Sequence, residues 1–279
     1  MNKEFLKRPT IVDGFFYPDA KDVLSISVKT SLTAYSIPKV ASPFALITPY
    51  ASYMYASRVF GAAYSQLINE DIDTIIIIAP IHKMAFPAIA LSESDCFSCP
   101  LGDLFVDKED NEFLLEQNKE YFFYGEKYHL QEHSIEVQLP FIYTLLGNKV
   151  KILPIILGET NTKLTILLAK TLFSLLSRKQ KKYLVVAAAD LSCDLKYEKA
   201  METDQKFMEV LKTMDADYFA EQLALNQIKS LGGGGVISVL RLAEMMGMKN
   251  INILKYMNSG DVTHDKFKVE GYLAASIYQ

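Results

Sequence analysis

The run Thr74-Ile75-Ile76-Ile77-Ile78 constrains the fold more than any other segment. Consecutive β-branched residues lose side-chain freedom in a helix and fit an extended strand. No polar alternation marks a wet face, so the strand is expected to be covered on both sides. Phe44–Ile47, Ile152–Leu157 and Tyr183–Ala187 read the same way, with Ile251–Met257 and Gly271–Ile277 as closing strands. Helical spacing lies between them: Tyr55–Asn69 sets Val59, Ala62, Ala63 and Leu67 on one side. Further helices are expected over Lys163–Ser177, Lys199–Lys212, Asp217–Leu225 and Val236–Met246. This order predicts an α/β fold with a largely parallel central sheet flanked by helices. The 279 residues contain no repeat, no low-complexity segment and no Pro-, Gly- or Ser-rich linker, so one domain over 1–279 is expected.

Net charge narrows the partners. The formal charge is −4, without the strongly basic balance of a nucleic-acid binder. Lys179, Lys181 and Lys182 read as a solvated helix end. No apolar run approaches the roughly 18 residues of a membrane span. The basic start Met1–Arg8 is followed by no apolar stretch, so a secretory signal is not expected. Three cysteines cannot form a closed disulfide set, and a reducing, cytoplasmic location is expected. Cys96-Phe97-Ser98-Cys99 is a single C-x-x-C and reads as two ordinary thiols.

In parallel sheets, ligands sit beyond the carboxyl ends of the strands. Those exits are polar here: Thr48–Tyr53 after Ile47, Ala79-Pro80-Ile81-His82-Lys83 after Ile78, and Ala189–Asp194 after Ala188. Asp190 reads either as an active-site carboxylate or as a helix cap. Gly232–Gly235 precede a helix but lack the Lys-Ser/Thr of a Walker loop. Their N–H groups would suit an anion, or the turn is merely flexible. In Glu132–Pro140, a helix would place Glu132 and Glu136 on one face with His133 beside them. That set suits ligand, base or acid roles, or an acidic helix start. His129-Leu130-Gln131-Glu132-His133 also matches the H-x-x-E-H zinc pattern, but Phe122–Gly125 before it reads as strand and turn, which argues against a helical zinc site.

Taken together, these segments resemble the Memo family, also called AmmeMemoRadiSam system protein B. Arg8-Pro9 with Gly14-Phe15-Phe16-Tyr17-Pro18 is similar to its opening R-x-P…G-x-F-Y-P. Pro49–Ser57 is similar to P-H-A-G-Y-x-Y-S-G, Ala79–Lys83 to G-P-x-H-H, and Pro100-Leu101-Gly102 to T-P-L-G. Glu132–Pro140 matches E-H-S-x-E-x-Q-x-P, and Ala189–Cys193 resembles S-D-L-S-H. Asn258–Thr263 and Val269–Tyr272 resemble the closing S-G-D-V and V-G-Y. These motifs stand in the family's order and span nearly the whole chain.

The resemblance implies a fold related to class III extradiol dioxygenases. It also implies metal ligands at the His of P-H-A-G-Y, the first His of G-P-x-H-H, and a Cys before the glycine turn. Those positions fall on Tyr50, His82 and, within one residue, Gly232. Lys83 stands for the second His, and Cys193 for the His after D-L-S, while Glu132, His133, Ser134 and Asp190 are kept. A transition metal needs about three protein ligands, and this set leaves one. The expectation is therefore a degenerate metal site. Its polar cleft would comprise Tyr50, His82, Lys83, Glu132, His133, Ser134, Asp190, Cys193, Gly232 and Gly233, and serve a binding or accessory protein without a cofactor. Lys83 and the glycine turn would favour a small anionic ligand or peptide side chain. The resemblance further implies an accessory role beside a radical SAM and AMMECR-type partner. The alternative is an enzyme: an oxidoreductase holding iron, copper or zinc on relocated ligands His82, His133 and Cys193, or a metal-free acid–base catalyst using His133 with Glu132 or Asp190.

Overall fold

The computed structural model describes residues 5–178 and 181–279. Its strands, in chain order, are β1 (Lys7–Arg8), β2 (Ala45–Thr48), β3 (Thr74–Pro80), β4 (Ile89–Leu91), β5 (Cys96–Cys99) and β6 (Gly102–Phe105). They continue with β7 (Phe122–Tyr124), β8 (Lys151–Leu157), β9 (Tyr183–Ala188), β10 (Asn250–Asn258) and β11 (Gly271–Tyr278). The helices are α1 (Lys21–Ala34), α2 (Tyr53–Tyr64), α3 (Lys108–Gln117), α4 (Glu126–His129) and α5 (Leu139–Leu146). After them come α6 (Thr162–Leu176), α7 (Tyr197–Lys212), α8 (Ala216–Ala224), α9 (Gly233–Met245) and α10 (Gly260–Thr263).

Eight strands form the main sheet in the order β10-β11-β2-β9-β3-β8-β4-β7. The centre, β2-β9-β3-β8, is parallel. Antiparallel joins appear where β11 meets β2 and β10, and where β4 meets β8. The sheet is thus mixed, with the expected parallel core. All seven residues of β3 are buried. Ile75, Ile77 and Ala79 pack on one face with α1, α2 and α5. Ile76 and Ile78 pack on the other with α6 and α9. The period of two divides one isoleucine run between two cores.

A small second sheet, β1-β5-β6, carries Cys96 and Cys99. Both are free and buried. Among the described residues, no helix is long and apolar enough to cross a membrane.

Two expectations change. Lys181 is not a solvated helix end: it bonds Asp107 at 2.8 Å and Asp110 at 2.9 Å, with its side chain 18% exposed. Two buried carboxylates need that cation. Lys182 is exposed and pairs with Asp71, and Lys179 lies outside the described residues. Glu132 and Glu136 do not share a helical face either. Glu136–Gln138 is only a 3-10 turn, and the two carboxylates bond different partners.

Candidate functional site

The three central strands β2, β9 and β3 end side by side, and the residues after them meet. Tyr50 follows β2, Asp190 follows β9 and His82 follows β3. His133 comes from the connection between α4 and α5. Together with Phe16, Tyr55, Leu191, Ser192, Cys193, Leu231 and Glu270 they line a cleft of about 420 Å³.

The N-terminal segment holds the His133 connection in place. Buried Arg8 pairs with buried Glu136 and donates to the carbonyls of His129 at 3.1 Å and Glu132 at 2.7 Å. Glu136 also accepts from the N–H groups of Ile11 and Val12 and from the Tyr17 hydroxyl. His129 is buried on α4, with its Nε2 on the Ala90 carbonyl at 3.1 Å. The H-x-x-E-H spacing therefore aims its two histidines at different surroundings.

Glu132 and Ser134 sit behind the cleft wall. Oε1 of Glu132 accepts from the N–H groups of His133 and Ser134, at 2.9 and 3.0 Å, and from the Ser134 hydroxyl at 2.5 Å. Oε2 accepts from the His82 N–H at 3.1 Å and faces His82 Nδ1 at 2.9 Å. Burial pushes this carboxyl up, but the bonds from His82 and Ser134 outweigh it and hold it at about 2. An ionised acceptor fixes the tautomer of its partner: Nδ1–H of His82 points at Glu132, which leaves Nε2 for the cleft.

The His82 and His133 rings lie 4.8 Å apart. His133 packs against Phe16, with centroids 4.6 Å apart, and burial lowers it to about 4, so it is neutral near pH 7. Tyr50 stands edge-on to His82 at 5.0 Å, and its hydroxyl donates to the Leu231 carbonyl at 3.4 Å. Burial and the charge of Asp190 push that phenol far up. Asp190 accepts from the Tyr50 N–H at 3.1 Å. Burial drives its carboxyl well above the usual range, and the Glu270 charge adds to this. Ser192 is buried at the cleft, and its N–H donates to Asp204 at 3.0 Å.

Other expected cleft members lie elsewhere. Lys83 is exposed and does not line the cavity. Gly232 and Gly233 do not line it either, whereas Leu231 does. The glycines answer to packing. Gly232 has φ +99°, and a Cβ there would sit 2.4 Å from the Ala188 carbonyl oxygen. A Cβ at Gly233 or Gly234 would meet Leu223 or Thr160 at 2.6 Å. Cys193 lines the cleft, but among the described residues the group of donors within 4.8 Å of one another is His82, Glu132 and His133. The relocated trio thus exchanges Cys193 for Glu132. Arg8, Phe16, Ser192 and Glu270 are the site residues whose roles the sequence left unread, although each lies in or beside a recognised motif.

The positions that the resemblance implies offer few metal donors. At the inherited positions, Tyr50 is a buried protonated phenol and Gly232 has no room for a side chain. In the converged trio, both Glu132 oxygens are already committed to N–H and O–H donors. His82 and His133 supply the other two donors of the trio, and a transition metal needs about three protein ligands.

The family model described as Memo-like protein matches residues 8–276 of the chain. A MEMO1 family protein of Desulfurococcus amylolyticus is 31% identical over 282 residues, covering 98% of this chain and 99% of that protein. One from Thermoplasma volcanium is 30% identical, covering 96% of each chain. One from Thermotoga petrophila is 29% identical, covering 98% of this chain and all of its own.

Proposed function

Because the chain belongs to the family of Memo-like proteins, we propose that it uses its cleft to bind a small organic molecule without a resident metal, with His82 as the main polar contact. The observation that carries this reading is the Glu132–His82 pair. The carboxylate already accepts bonds at both oxygens, and it aims one imidazole nitrogen into a largely apolar cavity. The accessory role beside a radical SAM and AMMECR-type partner is part of the same proposal, and the resemblance alone supports it. The test is to purify the untagged protein anaerobically and measure iron, copper and zinc by mass spectrometry. The expected result is substoichiometric metal. Near-stoichiometric metal that disappears in His82→Ala would overturn the reading.

One observation favours a second reading, a metal-free acid–base enzyme. An imidazole oriented by a carboxylate shares the cleft with Asp190, whose carboxyl burial pushes well above the usual range, so two groups able to exchange a proton line one cavity. Hydrolysis of 4-nitrophenyl acetate would probe it. A rate above background that falls in His82→Gln supports this chemistry, and an unchanged rate removes it.

A further inference from the structure

A second cavity of about 500 Å³ adjoins the cleft. The two share Leu191, Cys193 and Leu231 as a common wall. Leu231, the more exposed leucine of that wall, is 45% exposed. Their charges differ. The cleft carries Asp190 and Glu270, whereas no carboxylate lines the second cavity. Its one cation is Lys229, and no acidic side chain among the described residues forms an ion pair with it. Leu223, Ile228 and Ile237 supply an apolar wall, and Thr160 adds a hydroxyl.

We propose that this second cavity is a subsite for the anionic, partly apolar tail of a small molecule, an alkyl or aryl carboxylate, whose head lies in the cleft at His82. The placement of the head rests on the function proposed above, whereas the tail subsite stands on Lys229 and its own cavity. Electrostatics sets the direction. A carboxylate in the cleft would face Glu270, but in the second cavity it meets an uncompensated ammonium group and apolar walls for the carbons next to it. The anion-favouring charge expected at Lys83 is thus supplied by Lys229, from the opposite side of the Leu231 partition.

The test uses 4-phenylbutyrate and its neutral analogue 4-phenylbutyramide, titrated into the full chain by isothermal calorimetry. The carboxylate is expected to bind up to about fivefold more tightly, the upper range for an exposed ion pair. Lys229→Met should bring the two affinities together, and Leu223→Trp, which fills the cavity, should weaken both. Equal affinities in the unmodified protein, a preference that survives Lys229→Met, or no binding of either compound would overturn the subsite. His82→Gln separates the two proposals. A charge preference retained in that variant, with the overall affinity also unchanged, keeps the tail subsite and removes His82 from the binding site.

Discussion

Gly232→Cys, which puts a thiol where the resemblance implies a metal ligand, should destabilise the protein without creating a ligand. Residue 232 has φ +99° and ψ −2°. An L-residue in the left-handed region costs about 1–2 kcal/mol. The new Cβ would lie 2.4 Å from the Ala188 oxygen and 2.8 Å from the Ala189 Cα. Both are backbone atoms at the end of β9, so neither can swing aside as a side chain would, and such overpacking costs about 1–3 kcal/mol. The expected loss is therefore about 2–5 kcal/mol, a large part of an ordinary folding free energy of about 5–15 kcal/mol. Urea unfolding followed by circular dichroism would show it as a lower midpoint at unchanged slope. Leu231→Cys is the contrast, because residue 231 already presents its side chain to the cleft. Combined with Tyr50→His, it would join His82 in a set of two imidazoles and a thiolate, enough to bind zinc. The reasoning fails if Gly232→Cys costs less than about 0.5 kcal/mol, the usual range for a surface change. It also fails if Tyr50→His/Gly232→Cys binds stoichiometric zinc and Tyr50→His/Leu231→Cys does not.

Arg8→Met should cost about 3–5 kcal/mol, because it strands the buried Glu136 carboxylate. Arg8→Lys should recover little, since a single ammonium cannot reach Glu136 and the carbonyls of His129 and Glu132 together; a urea-measured loss under about 1 kcal/mol for Arg8→Met would contradict the clamp, given that range for a broken buried pair. Acid should destabilise the fold through His129 and His133, both held at about 4 by burial against an ordinary 6.5. The unfolded chain takes up protons near 6.5 that the folded protein refuses until about 4, so stability falls as pH drops through that window, by on the order of 2–3 kcal/mol for each histidine. Unfolding midpoints that stay flat between pH 7 and pH 4 would refute it.

Much of the architecture was legible in the chain because local pattern and global fold agree. The isoleucine run, Ile152–Leu157 and Tyr183–Ala187 fall in β3, β8 and β9, and the long helices α6, α7 and α9 lie within a few residues of their expected bounds. Short elements were harder to read. The 3-10 turn at Glu136 and the small sheet β1-β5-β6 depend on partners far away in sequence, so period alone does not reveal them. Lys181 looked like a surface charge because its partners Asp107 and Asp110 lie on α3 and its N-cap, more than 70 residues earlier.

By itself the sequence determined the α/β order, the polar strand exits that meet at the cleft, and the family. Side-chain type and short-range spacing are enough for these. Only the tertiary structure decided what the retained residues do. It placed Glu132 behind His82 and not beside Glu136, kept Lys83 out of the cavity and set Lys229 near it, and packed the glycine turn against the end of β9. Hydrogen-bond saturation, cavity lining and steric clearance depend on atoms that approach from distant segments, and no spacing along the chain records them.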